Sequence, residues 1–328
     1  RALRDLGALW AGLGDGRGDP RLAAAGRRMV AEGDALRADL LRAVDRSWLE
    51  RGGAARILPL IAGSPLAHLD APYRSRPESF DENRVWGELL HSGMLPTPVV
   101  REIVEGAAER GDSSFGLLGN RKHVVAFTAH GIGYGLIQHD LIREFLLLYY
   151  AHAAHLHTRG TWTAVECADL DRDRAEHWPY CAPAQLTIPL LTKWMIAFDE
   201  PDQSATWLCR ATPRAWLHNG GRIAVHDAPT TSGPLDAVVA SRLDDGIVEA
   251  RVDASRWRGD RLVLRLRAPL GHALDSVTVD GRRRSAFDAA AETVTLPPGR
   301  DFRVVARYAA EGGASSVAGV EAPGEPER

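Results

Sequence analysis

Residues 158–180 read TRGTWTAVECADLDRDRAEHWPY, and they join two apolar stretches of helical character, Leu136 to His157 and Ala182 to Asp199. Connections between packed helices usually take about 2–8 residues. This one is longer, and it is dense in side chains that no turn requires. Glu166, Asp169, Asp171 and Asp173 lie in it, together with Trp162, Trp178 and Tyr180. Long ordered loops on a rigid scaffold are where binding and catalysis concentrate. The pattern therefore predicts a helical core carrying a functional loop.

Working outward, the upstream sequence is helical in pairs. Leu3, Leu6, Leu9 and Trp10 share one helical face, Gly12 to Pro20 punctuates, and Leu22 to Leu49 repeats apolar residues at three- and four-residue spacing. Together they predict a helical hairpin. Residues 56–72 carry Pro59, Pro65 and Pro72, which rule out a long helix and suggest an extended crossing segment. Further helices are expected near Glu78–Leu90 and Thr97–Glu109, with His91 just past the first. Glycine-containing loops are expected at Asp112–Gly119 and Ala129–Gly135, the second opening the long helix that ends near His157.

Downstream of about residue 205 the period changes from helical to alternating. Short runs at Arg222–His226, Asp236–Leu243, Ile247–Val252, Arg261–Arg267, Ser276–Val279, Glu292–Leu296 and Phe302–Tyr308 are separated by Asn219-Gly220-Gly221, Asp245-Gly246, Asp280-Gly281 and Pro297-Pro298-Gly299. Turn dipeptides between short alternating runs argue an antiparallel β-sandwich. The predicted organisation is an α-helical hairpin toroid over 1–204, a β-sandwich over 205–310, and a disordered Gly/Ser/Glu/Pro-rich tail over 311–328.

Composition narrows the classes of partner. The chain has 328 residues, a formal net charge of −3 and a pI near 6.5. That balance gives no electrostatic footprint for nucleic acid or an anionic membrane surface. No run reaches the roughly 18 apolar residues of a membrane span. Lys122 and Lys193 are the lysines, so arginine carries nearly all positive charge. Three cysteines, Cys167, Cys181 and Cys209, cannot build a disulfide framework. Cys167 and Cys181 could pair across the central stretch, though buried thiols are the plainer reading. The chain opens at Arg1 inside a helical pattern, so a preceding segment is expected; compartment and oligomeric state stay open.

Three stretches carry a resemblance. DENRVWGELLHSGML (81–95), AFTAHGIGYGLIQHDLIREFLLLYYAHAAHLHTRGTWTAVE (126–166) and ATWLCRATPRAWLHNGGRIAVHDAPTTSGPLDAVVASRL (205–243) follow one another in an order that resembles the C-terminal half of bacterial six-hairpin (α/α)6-barrel glycoside hydrolases of the α-L-rhamnosidase-related type. The resemblance implies a sugar-binding cavity at a barrel mouth and inverting hydrolysis by two carboxylic acids. This chain holds fewer helices than a complete barrel, so a partner carboxylate could lie outside it.

The loop chemistry fits that implication. Glycoside hydrolysis needs one protonated carboxyl and one ionised carboxylate, and inverting pairs stand roughly 6.5–9.5 Å apart. Glu166 is the first candidate, because the apolar, β-branched approach Thr161–Val165 could bury it; its bland alternative is a cap or a pair with Arg159 or Arg172. Asp169 and Asp171 fall in DLDRDR (169–174), whose alternating charge usually marks a solvated loop. A calcium loop is suggested by Asp169, Asp171 and Asp173, but the glycine and closing glutamate are missing. Glu88 is a possible second carboxylate, or a surface charge. Trp162, Trp178, Tyr180 and Trp86 could stack on sugar faces, or pack beneath the loop. His130, Tyr134 and His139 stand at the glycine-rich helix entry as candidate ligand contacts. Gly131, Gly133 and Gly135 do not make a dinucleotide motif, since no βαβ unit surrounds them and the spacing is wrong; close approach of a ligand or another helix is the simpler cause. His152, His155 and His157 make a weak zinc signal, spread over both faces of a helix. No nucleophile elbow, Cys–His signature or phosphate-binding loop is present. The reading is therefore a carbohydrate-directed enzyme with no metal or other cofactor. Its rivals are a polysaccharide lyase using His130 or Tyr134 as base, and a carbohydrate-binding fragment.

Overall fold

The computed structural model describes residues 1–46, 49–50, 56–57, 80–110, 113–120, 123–170, 174–201, 205–296 and 301–310. The proline-rich segment beyond residue 57, Asp171, Asp173 and the expected tail lie outside the described residues. The chain divides into two compact units, Arg1–Trp194 and Met195–Arg328.

The first unit opens with α1 (Ala2–Arg17) and α2 (Pro20–Arg46), an antiparallel hairpin. The leucines expected on one face of α1 do not pack it against α2. Leu6, Leu9, Trp10 and Leu13 are exposed, whereas Gly7 and Gly14 are buried. A Cβ on Gly14 would stand 2.3 Å from the Ala23 backbone nitrogen, and one on Gly26 2.3 Å from that of Ala11. Small residues let the two backbones approach more closely than leucines could.

A two-residue ladder follows, β1 (Leu49–Glu50) against β2 (Arg56–Ile57). Next come α3 (Phe80–His91) and α4 (Thr97–Arg110). The expected glycine loop at 112–119 is instead a hairpin, β3 (Ser113–Ser114) and β4 (Leu117–Asn120), which continues into β5 (His123–Val125).

The long helix expected to end at His157 is two helices, α5 (Ala129–Gln138) and α6 (Ile142–His155), broken where Asp140 takes a left-handed backbone. The AHGIGYG stretch is α5 itself rather than a loop before a helix. Its glycines serve close packing. A Cβ on Gly131 would stand 2.3 Å from the Gly87 carbonyl oxygen of α3, and one on Gly133 2.5 Å from a Leu191 methyl.

The central stretch is also more ordered than a loop. It forms β6 (Val165–Asp169) and β7 (Arg174–Pro179), which complete an antiparallel sheet in the order β3-β4-β5-β6-β7. The charge alternation of DLDRDR hides a hairpin whose strands close on Asp169 opposite Arg174. α7 (Ala182–Ile196) follows and ends three residues before the expected Asp199, the chain turning to strand at Ala197.

The second unit holds two sheets. The six-stranded sheet runs β10-β11-β12-β18-β14-β15: β10 (Arg222–Ala228), β11 (Leu235–Arg242), β12 (Ile247–Asp253), β18 (Asp301–Ala310), β14 (His272–Val279) and β15 (Arg282–Arg284). The five-stranded sheet runs β16-β17-β13-β9-β8: β16 (Phe287–Asp288), β17 (Thr293–Leu296), β13 (Arg261–Arg265), β9 (Ala205–Leu208) and β8 (Ala197–Glu200). All pairings are antiparallel except β9 with β13. Each of the seven runs read as strands is one. Alternation buries one side of β11, where Leu235, Ala237, Val239 and Ser241 point inward. Val248, Val252, Leu262, Leu264, Val277, Val294 and Val304 from both sheets share one core. In the same unit the buried Arg210 guanidinium lies 3.2 Å from the Glu200 carboxylate and 4.3 Å from the centre of the Trp207 ring.

Candidate functional site

Position 166 occupies an irregularity of the sheet. Val165 pairs with Pro179 and Cys167 with Glu176, so residues 177 and 178 of β7 stand opposite the single Glu166 of β6. Such a bulge re-aims a side chain and bends the strand. Glu166 is half-buried, between buried Val165 and Cys167. Its carbonyl oxygen accepts a 2.8 Å hydrogen bond from the Ala126 backbone N–H. Four residues after Ala126 comes His130, in the first turn of α5, half-buried, its Nδ1 2.6 Å from the Phe127 carbonyl oxygen. The Ala126–Glu166 hydrogen bond joins β6 to the segment running from β5 into α5, a corner with Glu166 on one segment and His130 on the other. Two residues before His130 the Thr128 hydroxyl is buried, with no hydrogen-bond partner among the described residues.

One turn further along α5, Tyr134 is buried and accepts a 2.7 Å hydrogen bond from the Arg1 guanidinium. His91, the last residue of α3, meets both. Its ring lies edge-on at 5.3 Å from His130 and 4.9 Å from Tyr134, and 6.0 Å from Trp194. Tyr134 and Trp194 meet at 5.1 Å. Burial holds the His91 imidazole below the usual histidine range; the His130 charge acts in the same direction and Glu88 against it. His91 is thus a neutral imidazole at pH 7, able to accept a proton. Trp86 is buried on the same helix, while Glu88 is exposed.

His139 stands apart from this cluster. It caps the far end of α5, nine residues and roughly 13 Å along the axis from His130, with its Nδ1 2.9 Å from the Thr97 hydroxyl. Asp169 sits at the other end of β6, opposite His123 in register. Trp178 is one of the two residues facing Glu166 across the bulge.

The remaining aromatics stand outward. Trp162 is 60% exposed and Tyr180 78%, and both take a left-handed backbone, φ 53° and φ 71°. Both are tied to Ala164. The Gln185 side chain accepts from the Ala164 N–H at 2.8 Å and donates to the Trp162 carbonyl at 3.1 Å. The Ala164 carbonyl accepts from the backbone N–H groups of Tyr180 and Cys181. Trp162 leans on His157 at 5.6 Å, and His157 on His152 at 5.2 Å.

His152 is fully buried, with its Nε2 3.2 Å from the Ala126 carbonyl oxygen. Burial, aided by the neighbouring His157, pushes it down to about 3. It therefore braces the strand that holds Glu166 as a neutral ring. Among the described residues, no group of three or more His, Cys, Asp or Glu side chains is placed to hold a metal ion. The three cysteines are free thiols, and burial raises Cys209 to about 12, which makes it inert.

The sequence did not single out His91, Trp194, Gln185 or Arg1 as members of a site. His91 had one local signal, its place one turn beyond Glu88. The others come from distant stretches that the fold gathers.

No known family model matches the chain, and no curated protein matches it. Among solved structures it is similar to Ara127N, a GH127 β-L-arabinofuranosidase from Geobacillus stearothermophilus T6, with a TM-score of 0.37 and 11% identity over 69% of this chain and 41% of that one. It is also similar to a structure described as a glycoside hydrolase, with a TM-score of 0.41 and 11% identity over 90% of this chain and 54% of that one. The chain thus spans about half the length, or less, of these two proteins.

Proposed function

We propose that this chain is part of a glycosidase that hydrolyses an oligo- or polysaccharide, with Glu166 as its general acid or base. The observation that carries the reading is half-buried Glu166 at the β6 bulge, whose backbone is bonded to Ala126, four residues before His130. A half-buried carboxyl can give a proton to, or take one from, a reacting oxygen. Exposed Trp162 and Tyr180, attached to the same strand, supply flat faces for sugar rings. His130 and Tyr134 would line the inner side with Trp86 and Trp178, while Asp169 and Glu88 are the candidates for the second carboxylate; His139 would act only at a more distant subsite. We read the helical unit as part of a hairpin toroid and the two-sheet unit as a β-sandwich, and assign inversion at the anomeric carbon.

The test is turnover of a panel of aryl glycosides and soluble plant polysaccharides, with the anomer of the product followed by NMR. Glu166→Gln should lower turnover by about 10²–10⁴-fold while leaving substrate binding in place. Unchanged turnover in this variant would sink the assignment.

A polysaccharide lyase is the second reading, favoured by the cluster of His91, His130 and Tyr134 with the Arg1 guanidinium on the phenol oxygen. A lyase abstracts a proton beside a uronic carboxylate, for which an imidazole or phenol is the base and arginine the neutraliser. An unsaturated product absorbing in the ultraviolet would select it over hydrolysis.

A further inference from the structure

We propose that Phe115, Trp162 and Tyr180 form a stacking platform for a neutral glycan chain, outside the catalytic corner. This rests on the carbohydrate-directed reading above and adds that the substrate is polymeric. Phe115 is the decisive residue. It occupies the first central position of the two-residue turn between β3 and β4, with φ 54°, followed by Gly116 at φ 81°. Such a turn needs positive φ at both central residues and is normally Asn-Gly. A bulky ring at the first of them is an outlier, and its ring is 54% exposed, so core packing does not explain it.

The ring is not loose. It stacks on the His155 imidazole with centres 5.5 Å apart and planes 13° from parallel. Trp162 meets the His157 ring at 5.6 Å with the planes tilted by 51°. The two imidazoles belong to residues two apart, so their Cα atoms are at most about 7.6 Å from each other. Tyr180 joins through Ala164, whose carbonyl accepts from the Tyr180 N–H and whose own N–H is linked to Trp162 through the Gln185 amide. Three exposed aromatic residues with left-handed backbones thus cluster around the C-terminal end of α6 and the strand that follows.

The chemistry favours a glycan over a protein partner. Protein interfaces centre on a contiguous dry patch. Here the rings are accompanied by polar groups: the Thr158 and Thr161 hydroxyls, bonded to each other, and the Gln185 amide, bonded to the backbone of Ala164 and Trp162. Alternating flat apolar faces and hydrogen-bonding groups match a ligand whose C–H faces and hydroxyls alternate along its length.

Asparagine is the informative substitution, because it suits a left-handed turn position. Affinity gel electrophoresis in soluble arabinoxylan, galactomannan and mixed-linkage β-glucan should retard the wild-type protein in at least one of them. Phe115→Asn and Trp162→Asn should each weaken that retardation roughly three- to tenfold, with an unchanged or raised melting temperature for Phe115→Asn. The proposal is overturned by a wild type that none of the three polymers retards, by variants that bind as wild type, by a fall in melting temperature that accompanies the loss, or by a dimer that Trp162→Asn dissolves. Glycoside turnover without polymer retardation would remove the platform and keep the glycosidase. Polymer retardation without turnover would do the reverse.

Discussion

His152 shows how one residue ties the site to the stability of the fold. Its ring is neutral and buried in the native state, near pKa 3, whereas in the unfolded chain it titrates near 6.5. Below pH 6.5 the unfolded chain takes up a proton that the native protein refuses. Stability from this group is therefore complete above about pH 6.5 and declines, by up to roughly 1.4 kcal/mol per pH unit, until the folded value near 3 is reached. Chemical denaturation between pH 7 and 4 should show this slope. His152→Gln, whose amide can still donate to the Ala126 carbonyl, should flatten it; an unaltered slope would assign the acid sensitivity elsewhere. Glu200 makes a second prediction at this scale. Glu200→Ala leaves the buried Arg210 guanidinium without its carboxylate and should cost about 3–5 kcal/mol in denaturant unfolding of the two-sheet unit.

At the scale of elements, α3 and α5 meet backbone to backbone. Gly131→Ala would push a methyl onto the Gly87 carbonyl and should destabilise by about 1–3 kcal/mol or more, read as a lower denaturant midpoint. Because α3 carries His91 and α5 carries His130 and Tyr134, the same change should also disturb the site. Much of this layer was legible in the sequence. Helices near their observed positions followed from three- and four-residue spacing, and Gly131, Gly133 and Gly135 already pointed to close approach of a ligand or another helix, of which the helix is found. What escaped was period. Five residues of VECAD and six of RAEHWP are too short for alternation to outweigh the aspartates and arginines between them, so a hairpin read as a loop. The face of α1 escaped for another reason: leucine periodicity marks an apolar face, but glycine spacing set the packed one. Glu166 could be singled out by its neighbours, whereas its bulge depends on pairing with a strand beyond the turn.

For the whole molecule, apolar burial is uneven. In α1 and α2 the buried residues are Gly7, Gly14, Ala23, Gly26, Gly33 and Val44, which remove little apolar area from water. β12 and β18 place Val248, Ala250, Val252, Phe302, Val304 and Ala306 in a common core. Local opening follows buried apolar contact. Amide exchange followed by mass spectrometry should be at least roughly tenfold faster across α1 and α2 than across β12 and β18; equal protection would mean that another contact secures the helical hairpin. The order of strands carries one more consequence. β18, residues 301–310, comes last in sequence among the described strands yet lies in mid-sheet, paired to β12 on one side and β14 on the other. During synthesis, β12 and β14 must wait with bare edges until that final segment leaves the ribosome. A premature stop a few codons upstream would split the sheet down its middle rather than trim its border.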